Sequence, residues 1–248
     1  MKIQVLSDLH IEFAPFELVS TDADLIVFAG DIGIQQMGLE WILKTVSGKP
    51  VLYVLGNHEF YGAAYPVLIT KMKIAAEKTN VSIMENDRFV FGGVRFLGCT
   101  LWTDFGLLGD PWVAGMLATI HMSDYKRIRV SPANTKLRSL DSAAIHHQSY
   151  LWLREELEAP WDGPTVIITH HAPTPRAIPL QYRNEPLTAA FASDLTRLID
   201  AYRPHAWIHG HIHVPSQFTV ENTQIICNPR GYPDECSPDF DPALVLAL

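Results

Sequence analysis

Cysteine is scarce in this 248-residue sequence, which contains only Cys99, Cys227 and Cys236 and no Cys-x-x-Cys pair. A small, odd number of cysteines argues against a disulfide framework and against a thiolate zinc site. The sequence also has no apolar run near the ~20 residues that span a bilayer, and its start, MKIQVLSDLH, lacks the apolar stretch of a secretion signal. These absences predict a cytoplasmic protein without a membrane partner.

Positive charge is also in short supply. The chain has 19 Lys and Arg residues against 27 Asp and Glu residues, which gives a formal net charge of -8 at pH 7. Proteins that bind long nucleic acids usually carry a basic patch, so a nucleic-acid partner is disfavoured. A metal cluster can still attract an anionic substrate locally. Neither repeats nor linker-like stretches interrupt the sequence, which predicts one domain over residues 1–248; the oligomeric state is left open.

Short apolar segments alternate with helical periodicity in the first third of the chain. Segments 3–6, 25–29 and 51–55 are apolar and are followed by polar or turn residues, which predicts buried strands. Residues 39–46 repeat with helical spacing, and another helix is predicted from Pro66. The later predicted elements are a hairpin over 88–91 and 94–99, helices over 140–158 and 191–202, strands at 165–169 and 206–209, and a strand pair within 216–227.

Residues from about 103 to 138 show no clear period and are rich in Gly and Pro. A loop of this length is uncommon inside a compact domain and is often functional. The sequence therefore predicts either a lid or substrate loop here, or a surface insertion without a role.

Potential metal ligands follow five of the predicted strands. They are Asp8 with His10, Asp31, Asn57 within Gly-Asn-His-Glu, His170, and His211 with His213. Side chains at the ends of several strands converge at one edge of a sheet, which predicts a common site. The ligand set contains carboxylate, amide oxygen and imidazole but no thiolate, a combination that suits Mn, Fe or Zn.

The spacing of these residues suggests how they approach an ion. In an extended segment, residues two apart point the same way, so Asp8 and His10 are predicted to reach one ion together, as are His211 and His213. Glycine precedes Asp31, Asn57 and His211, and a residue without a Cβ lets the chain turn tightly there.

The order D-x-H, G-D, G-N-H-E, H and G-H-x-H resembles the signature of the calcineurin-like metallophosphoesterases. Each block alone is a weak signal, but all five occur in family order and span nearly the whole chain, from Asp8 to His213. The resemblance implies an α/β fold: a four-layer β-sandwich of two mixed sheets flanked by helices.

The resemblance also implies roles for individual residues. Asp31 would bridge two metal ions, divalent or trivalent, of Mn, Fe or Zn. The first ion would be held by Asp31 together with Asp8, His10 and His213, and the second by Asp31 together with Asn57, His170 and His211. His58 would lie near the substrate without binding metal, and Glu59 would orient His58 through a hydrogen bond.

A metal-dependent phosphohydrolase is the function that the resemblance implies, with a hydroxide between the ions attacking a phosphate ester. A small phosphodiester is the favoured substrate. A phosphomonoesterase, a protein phosphatase and a nuclease remain alternatives, and the acidic charge balance counts against the nuclease. A non-catalytic metal-binding scaffold is a further alternative, although the complete set of ligands counts against it.

Overall fold

The computed structural model describes residues 1–235 and 237–248, so Cys236 lies outside the described residues. The strands, in chain order, are β1 (Lys2–Leu6), β2 (Leu25–Ala29), β3 (Val51–Val54), β4 (Ala64–Tyr65), β5 (Val81–Met84), β6 (Asp87–Phe91), β7 (Val94–Cys99), β8 (Arg129–Val130), β9 (Thr135–Lys136), β10 (Thr165–Thr169), β11 (Ala206–His209), β12 (Ser216–Val220), β13 (Thr223–Cys227) and β14 (Val245–Ala247). The helices are α1 (Met37–Thr45), α2 (Val67–Ala76), α3 (Pro111–His121), α4 (Asp124–Arg127), α5 (Ser139–Glu158) and α6 (Thr196–Tyr202).

Two large sheets carry the fold, and both are mixed. The first has the order β14-β1-β2-β3-β5, in which only β14 runs antiparallel to its neighbour. The second has the order β12-β13-β11-β10-β7-β6, with antiparallel strands at its two edges. The parallel strands are short and buried on both faces, which explains why they read as continuous apolar runs.

The apolar side chains form three stacked layers of core. Between the sheets, residues such as Val27 from β2 pack with residues such as Ile168 from β10. The outer face of the first sheet packs against α1 and α2, where Met72 is fully buried, and the outer face of the second packs against α5 and α6. The predicted four-layer sandwich flanked by helices is thus confirmed.

Some element boundaries differ from the sequence-based prediction. The helix expected over 191–202 begins only at Thr196, and a short 3-10 helix occupies Pro186–Ala190. The sequence-based prediction does not include strands β5 and β14, which contain four and three residues. Among the residues that the structure describes, no helix is both long and apolar enough to cross a membrane.

The segment 103–138 contains regular secondary structure although its sequence shows no clear period, and its role as a lid or substrate loop stays a prediction. It contains α3 and α4, and its strands β8 and β9 form a small sheet with β4. The missing periodicity has a physical cause, because α3 buries its small residues and exposes its large apolar ones. Ala114, Gly115 and Ala118 are buried, whereas Trp112 and Met116 are 74% and 51% exposed.

Candidate metal centre

The loops that follow β1, β2, β3, β10 and β11 meet at one edge of the sandwich and bring the predicted ligands together. Three groups of ligand atoms lie within 4.8 Å of one another: Asp8 with His10 and His213, His10 with Asp31 and His58, and Asp31 with His170 and His211. The Oδ1 atom of Asn57 lies 3.0 Å from Nε2 of His170. Every side chain predicted as a ligand is therefore part of this centre.

The backbone at the centre is not extended, as the spacing argument assumed. Left-handed φ angles occur at five predicted ligands, namely Asp8 (50°), His10 (47°), Asp31 (55°), His211 (67°) and His213 (54°). Such angles are rare outside glycine and cluster at functional sites. Because these turns redirect successive side chains, His211 and His213 join different groups of ligand atoms, rather than the common group that their spacing predicted. Their separation agrees with the division that the family resemblance implies.

The glycines that precede predicted ligands do more than allow tight turns. Because they have no Cβ, they leave space for the side chains of other predicted ligands. A Cβ atom on Gly56 would lie 2.1 Å from Oδ1 of Asp31, and one on Gly30 would lie 2.3 Å from Nδ1 of His170. At Gly210, a Cβ would lie 2.6 Å from Oδ2 of Asp8. Real Cβ contacts are longer than this, so each glycine is required by the packing of a predicted ligand.

Asp31 occupies the middle of the centre. Its Oδ2 atom lies 3.4 Å from Nε2 of His170 and 3.9 Å from Nε2 of His10, so it faces both groups of ligands. Its Oδ1 atom accepts a hydrogen bond from the backbone N–H of His58 at 2.8 Å. Burial would raise the pKa of the Asp31 carboxyl, but the histidines around it hold that pKa well below its usual range.

The buried carboxylates favour positive charge in this centre. Burial lowers the pKa of His170, but Asp31 and Asp8 outweigh this effect and raise it to about 10. His213 shows the same balance, with its pKa raised mainly by Asp8 despite burial. The fields of two buried carboxylates therefore converge where a cation would sit.

Neighbouring oxygens orient two of the predicted histidine ligands. Nδ1 of His170 lies 2.9 Å from the carbonyl oxygen of Ala29, and Nδ1 of His10 lies 3.3 Å from Oε1 of Glu12. If Nδ1 carries the proton in each ring, Nε2 keeps a free lone pair that points into the centre. This is the arrangement in which metal-binding histidines are usually held.

The side-chain amide of Asn57 is oriented by the segment 103–138. Its Nδ2 donates to Oδ1 of Asp124 at 2.8 Å, which turns its Oδ1 towards His170. Asp124 also accepts a hydrogen bond from the hydroxyl of Tyr61 at 2.7 Å, and burial raises the pKa of its carboxyl. The sequence contained no signal for this contact, because Asp124 stands in a polar stretch that reads as a solvated surface.

His58 lies at the mouth of the centre between two groups that sequence analysis missed. Its Nδ1 is 2.9 Å from Oε1 of Glu12, and its Nε2 is 3.0 Å from the hydroxyl of Tyr232. Burial lowers the pKa of His58, but Asp31 and Glu12 outweigh it and raise the pKa above its usual value. Glu12 could have been suspected, because it stands two residues after His10. Tyr232 is distant in sequence from every motif.

Glu59 does not orient His58, and that part of the prediction is wrong. Its carboxylate instead accepts hydrogen bonds from the backbone N–H groups of Asp31, Ile32 and Gly56 at 3.1, 2.8 and 2.7 Å, and from the hydroxyl of Tyr53 at 2.6 Å. These bonds explain why it faces away from His58. Burial raises the pKa of Glu59 to about 7. Glu59 thus joins the loop after β2 to the loop after β3.

The calcineurin-like phosphoesterase family model matches residues 1–215 of the sequence. The chain belongs to this family. The predicted family resemblance is therefore confirmed, and a calcineurin-like phosphoesterase hydrolyses phosphoester bonds with the help of metal ions.

Relatives of this calcineurin-like phosphoesterase cover nearly all of its length. An uncharacterized protein of Acanthamoeba polyphaga mimivirus is 25% identical over 273 residues, which cover 97% of this chain and 94% of that protein. The phosphopantetheinyl hydrolase of Mycobacterium tuberculosis has a similar structure, with a TM-score of 0.75, 17% identity, and coverage of 94% of this chain and 90% of that chain. A Thermus thermophilus protein has a TM-score of 0.52 at 13% identity, covering 93% and 89% of the two chains. At these identities the two structures support the fold.

The side chains of this calcineurin-like phosphoesterase fit divalent metal ions. Nε2 of His10 and Nε2 of His213 face each other at 3.1 Å, which a shared cation would explain. Nε2 of His211 is buried without a hydrogen-bond partner among the described residues, and burial holds the pKa of this imidazole well below its usual value, so the ring is neutral. Neutral imidazole and carboxylate are suitable ligands for first-row metal ions.

Proposed function

We propose that this protein hydrolyses a small phosphodiester to a phosphomonoester and an alcohol at a centre of two metal ions. The position of Asp31 carries the proposal. Its Oδ2 faces Nε2 of His170 on one side and Nε2 of His10 on the other. Asp31, His170 and His211 form one group of potential ligands, and Asp8, His10 and His213 form another. A carboxylate between two ligand groups supports a pair of ions that share it.

The charge of the site supports a diester rather than a monoester. The described residues around the open space at the centre include Glu235 and Asp31 but no Lys or Arg. Sites that bind a terminal phosphate dianion commonly use an Arg fork or a Lys for its extra charge. A diester carries one negative charge, so two metal ions and the neighbouring histidines suffice to neutralise it.

Bound metal ions would supply the charge that lowers the pKa of water and neutralises the phosphate oxygens. Asp8, His10, Asp31 and His213 would hold one ion, and Asp31, Asn57, His170 and His211 the other. Asp124 keeps the amide oxygen of Asn57 turned towards the centre, and Glu59 keeps the two central loops together.

In this proposal, His58 would give a proton to the leaving oxygen. Glu12 holds its Nδ1, so the proton available to the substrate is on Nε2. Asp31 and Glu12 raise the pKa of His58, which favours the protonated ring that a general acid needs. The hydroxyl of Tyr232 lies 3.0 Å from Nε2, at the position where the leaving oxygen would accept this proton.

A comparison of two chromogenic esters tests the proposal. The protein would be stripped of metal and reloaded with Mn, Fe or Zn, and hydrolysis of bis(4-nitrophenyl) phosphate would be measured beside that of 4-nitrophenyl phosphate. We expect metal-dependent hydrolysis with a higher kcat/KM for the diester. Metal titration with elemental analysis should give two ions per chain, and Asp31→Asn should abolish turnover.

The other outcomes separate the alternatives. A preference for the monoester would indicate a phosphomonoesterase or a protein phosphatase, and rapid cleavage of single-stranded DNA would indicate a nuclease. Fully metal-loaded protein without activity on any phosphate ester would indicate a binding scaffold. Saturation at one ion per chain would contradict the two-metal centre.

A further inference from the structure

A second cavity of about 240 Å³ opens beside the metal centre. Its walls are mainly apolar and include Ile178, Leu187, Phe191 and Ile212. Ligand pockets typically combine such walls with a few polar groups that fix orientation. The size suits one ring or a short alkyl chain rather than a whole large ligand.

This apolar cavity adjoins the metal centre. Phe191 and Ile212 line both spaces. The ring of Phe191 stacks on that of His211 with a centroid distance of 4.8 Å and an interplanar angle of 26°. Ile212 stands between the predicted ligands His211 and His213 in the sequence. The ester group next to a phosphate at the metal centre would therefore lie close to the walls that the two spaces share.

Hydrogen bonds give the cavity a defined wall. The hydroxyl of Thr188 donates to the carbonyl oxygen of Tyr182 at 2.7 Å, and Nε of Arg183 donates to that of Ile178 at 3.0 Å. The backbone oxygen of Phe191 accepts from the N–H of Ala172 at 3.1 Å, next to the end of β10. The segment that carries Leu187 is thus attached to the sheet that carries the metal ligands.

The one charged side chain among the described lining residues is Glu185, which has the same sign as phosphate. It is exposed at the edge of the cavity, where it would repel a second anionic group. Apolar walls and a single negative charge disfavour polyphosphates and polynucleotides. They favour an uncharged group that gains free energy by leaving water.

We infer that the substrate carries, next to its scissile phosphate, an uncharged and largely apolar alcohol group that binds in this cavity. The inference rests on the proposed phosphodiester hydrolysis and adds the chemical class of one ester group. Phe191 and Ile212 would then guide the apolar group from the metal centre, and Leu187 would contact it at the far wall.

Two diesters with the same leaving group test the inference, namely methyl 4-nitrophenyl phosphate and hexyl 4-nitrophenyl phosphate. We expect kcat/KM to be about tenfold or more higher for the hexyl ester, since each buried methylene contributes to binding. Leu187→Asp should remove this preference. Leu180→Asp is the matched control, because Leu180 belongs to the same segment but is 75% exposed and does not line the cavity.

A smaller substitution at Leu187 keeps the inference testable if Leu187→Asp does not fold. Leu187→Ala should lower the ratio of kcat/KM for the hexyl ester to kcat/KM for the methyl ester about threefold to tenfold, with the thermal unfolding midpoint measured in parallel. A fall on both esters that Leu180→Asp does not reproduce would place the aromatic leaving group in the cavity, which also supports the inference.

Equal rates for the two esters, unaffected by Leu187→Asp, would overturn the inference. The proposed function would survive that result, because the methyl ester would still be hydrolysed in a metal-dependent way. If the metal-loaded protein hydrolysed neither ester, the proposed phosphodiesterase activity itself would fail.

Discussion

Glu12 contacts His58 through a single carboxylate oxygen, with 2.9 Å between Oε1 and Nδ1. The same oxygen lies 3.3 Å from Nδ1 of His10, so Glu12 connects a predicted metal ligand with the predicted proton donor. Nε2 of His10 then faces Nε2 of His213, and Nε2 of His58 faces the hydroxyl of Tyr232. This pairing makes Glu12 a positioning residue for His58.

Replacement of Glu12 is expected to affect difficult leaving groups most. Glu12→Ala should lower turnover of an alkyl diester about tenfold to a hundredfold at saturating metal, the range found when such supporting partners are removed. A 4-nitrophenyl leaving group needs little protonation and should lose less. Rates for both esters would be measured with Glu17→Ala as the control, since Glu17 is an exposed carboxylate in the same segment. An equal loss for both esters would show that Glu12 acts mainly through His10.

Tyr232 is expected to matter less than His58 for the chemical step. Its hydroxyl lies 3.0 Å from Nε2 of His58, and in the proposed mechanism the leaving oxygen of the substrate would displace it. Tyr232→Phe should change kcat by no more than about threefold, whereas His58→Ala should lower it about a hundredfold or more, as for loss of a general acid. Steady-state kinetics of both variants would check this. Equal losses in the two variants would instead make the Tyr232 hydroxyl part of the proton path.

The close packing of Gly56 against Asp31 predicts that a substitution at Gly56 weakens metal binding although every predicted ligand is retained. A Cβ at residue 56 would lie 2.1 Å from Oδ1 of Asp31, so Gly56→Ala must displace that carboxylate. We expect metal affinity to fall about tenfold or more, with a parallel loss of activity. Metal titration by calorimetry would measure it. Gly106→Ala is the control, because its Cβ would meet only the exposed Asp104 at 3.1 Å; unchanged metal binding in Gly56→Ala would contradict the prediction.

Glu85 should make the stability of the protein depend on pH. Its buried carboxylate accepts hydrogen bonds from the backbone N–H and the hydroxyl of Thr100 at 3.0 and 2.6 Å, and burial raises its pKa from 4.5 to about 7. Between these pH values the folded state binds more protons than the unfolded state, so the free energy of unfolding falls as pH rises. The full effect of one such group is on the order of 3 kcal/mol.

Substitution of Glu85 tests this dependence. Glu85→Gln should remove the fall in the free energy of unfolding that the ionisation of Glu85 causes as pH rises. The variant should therefore gain stability relative to the wild type between pH 5 and pH 8. Urea unfolding at several pH values would measure the difference, with the exposed Glu77→Gln as control. Parallel pH profiles for wild type and Glu85→Gln would show that Glu85 ionises normally.

The chemistry of the centre is predictable from the sequence because it resides in short local motifs. These motifs alone point to the seven predicted ligands that the folded chain brings together, which are Asp8, His10, Asp31, Asn57, His170, His211 and His213. The strands that end at these motifs are predictable too, because buried parallel strands read as apolar runs. The backbone at the ligands is not, since left-handed turns at non-glycine residues leave no pattern in composition or spacing.

The partners of these residues were decided by tertiary structure alone. Glu12 meets His58 across 46 positions, Asp124 meets Asn57 across 67, and Tyr232 meets His58 across 174. No local pattern encodes such contacts, because each depends on how separate loops pack around the same sheet edge. The apolar cavity beside the centre has the same origin. The sequence by itself thus determined the family and the predicted ligands, whereas the folded chain decided which side chains contact them and which cavity lies beside the centre.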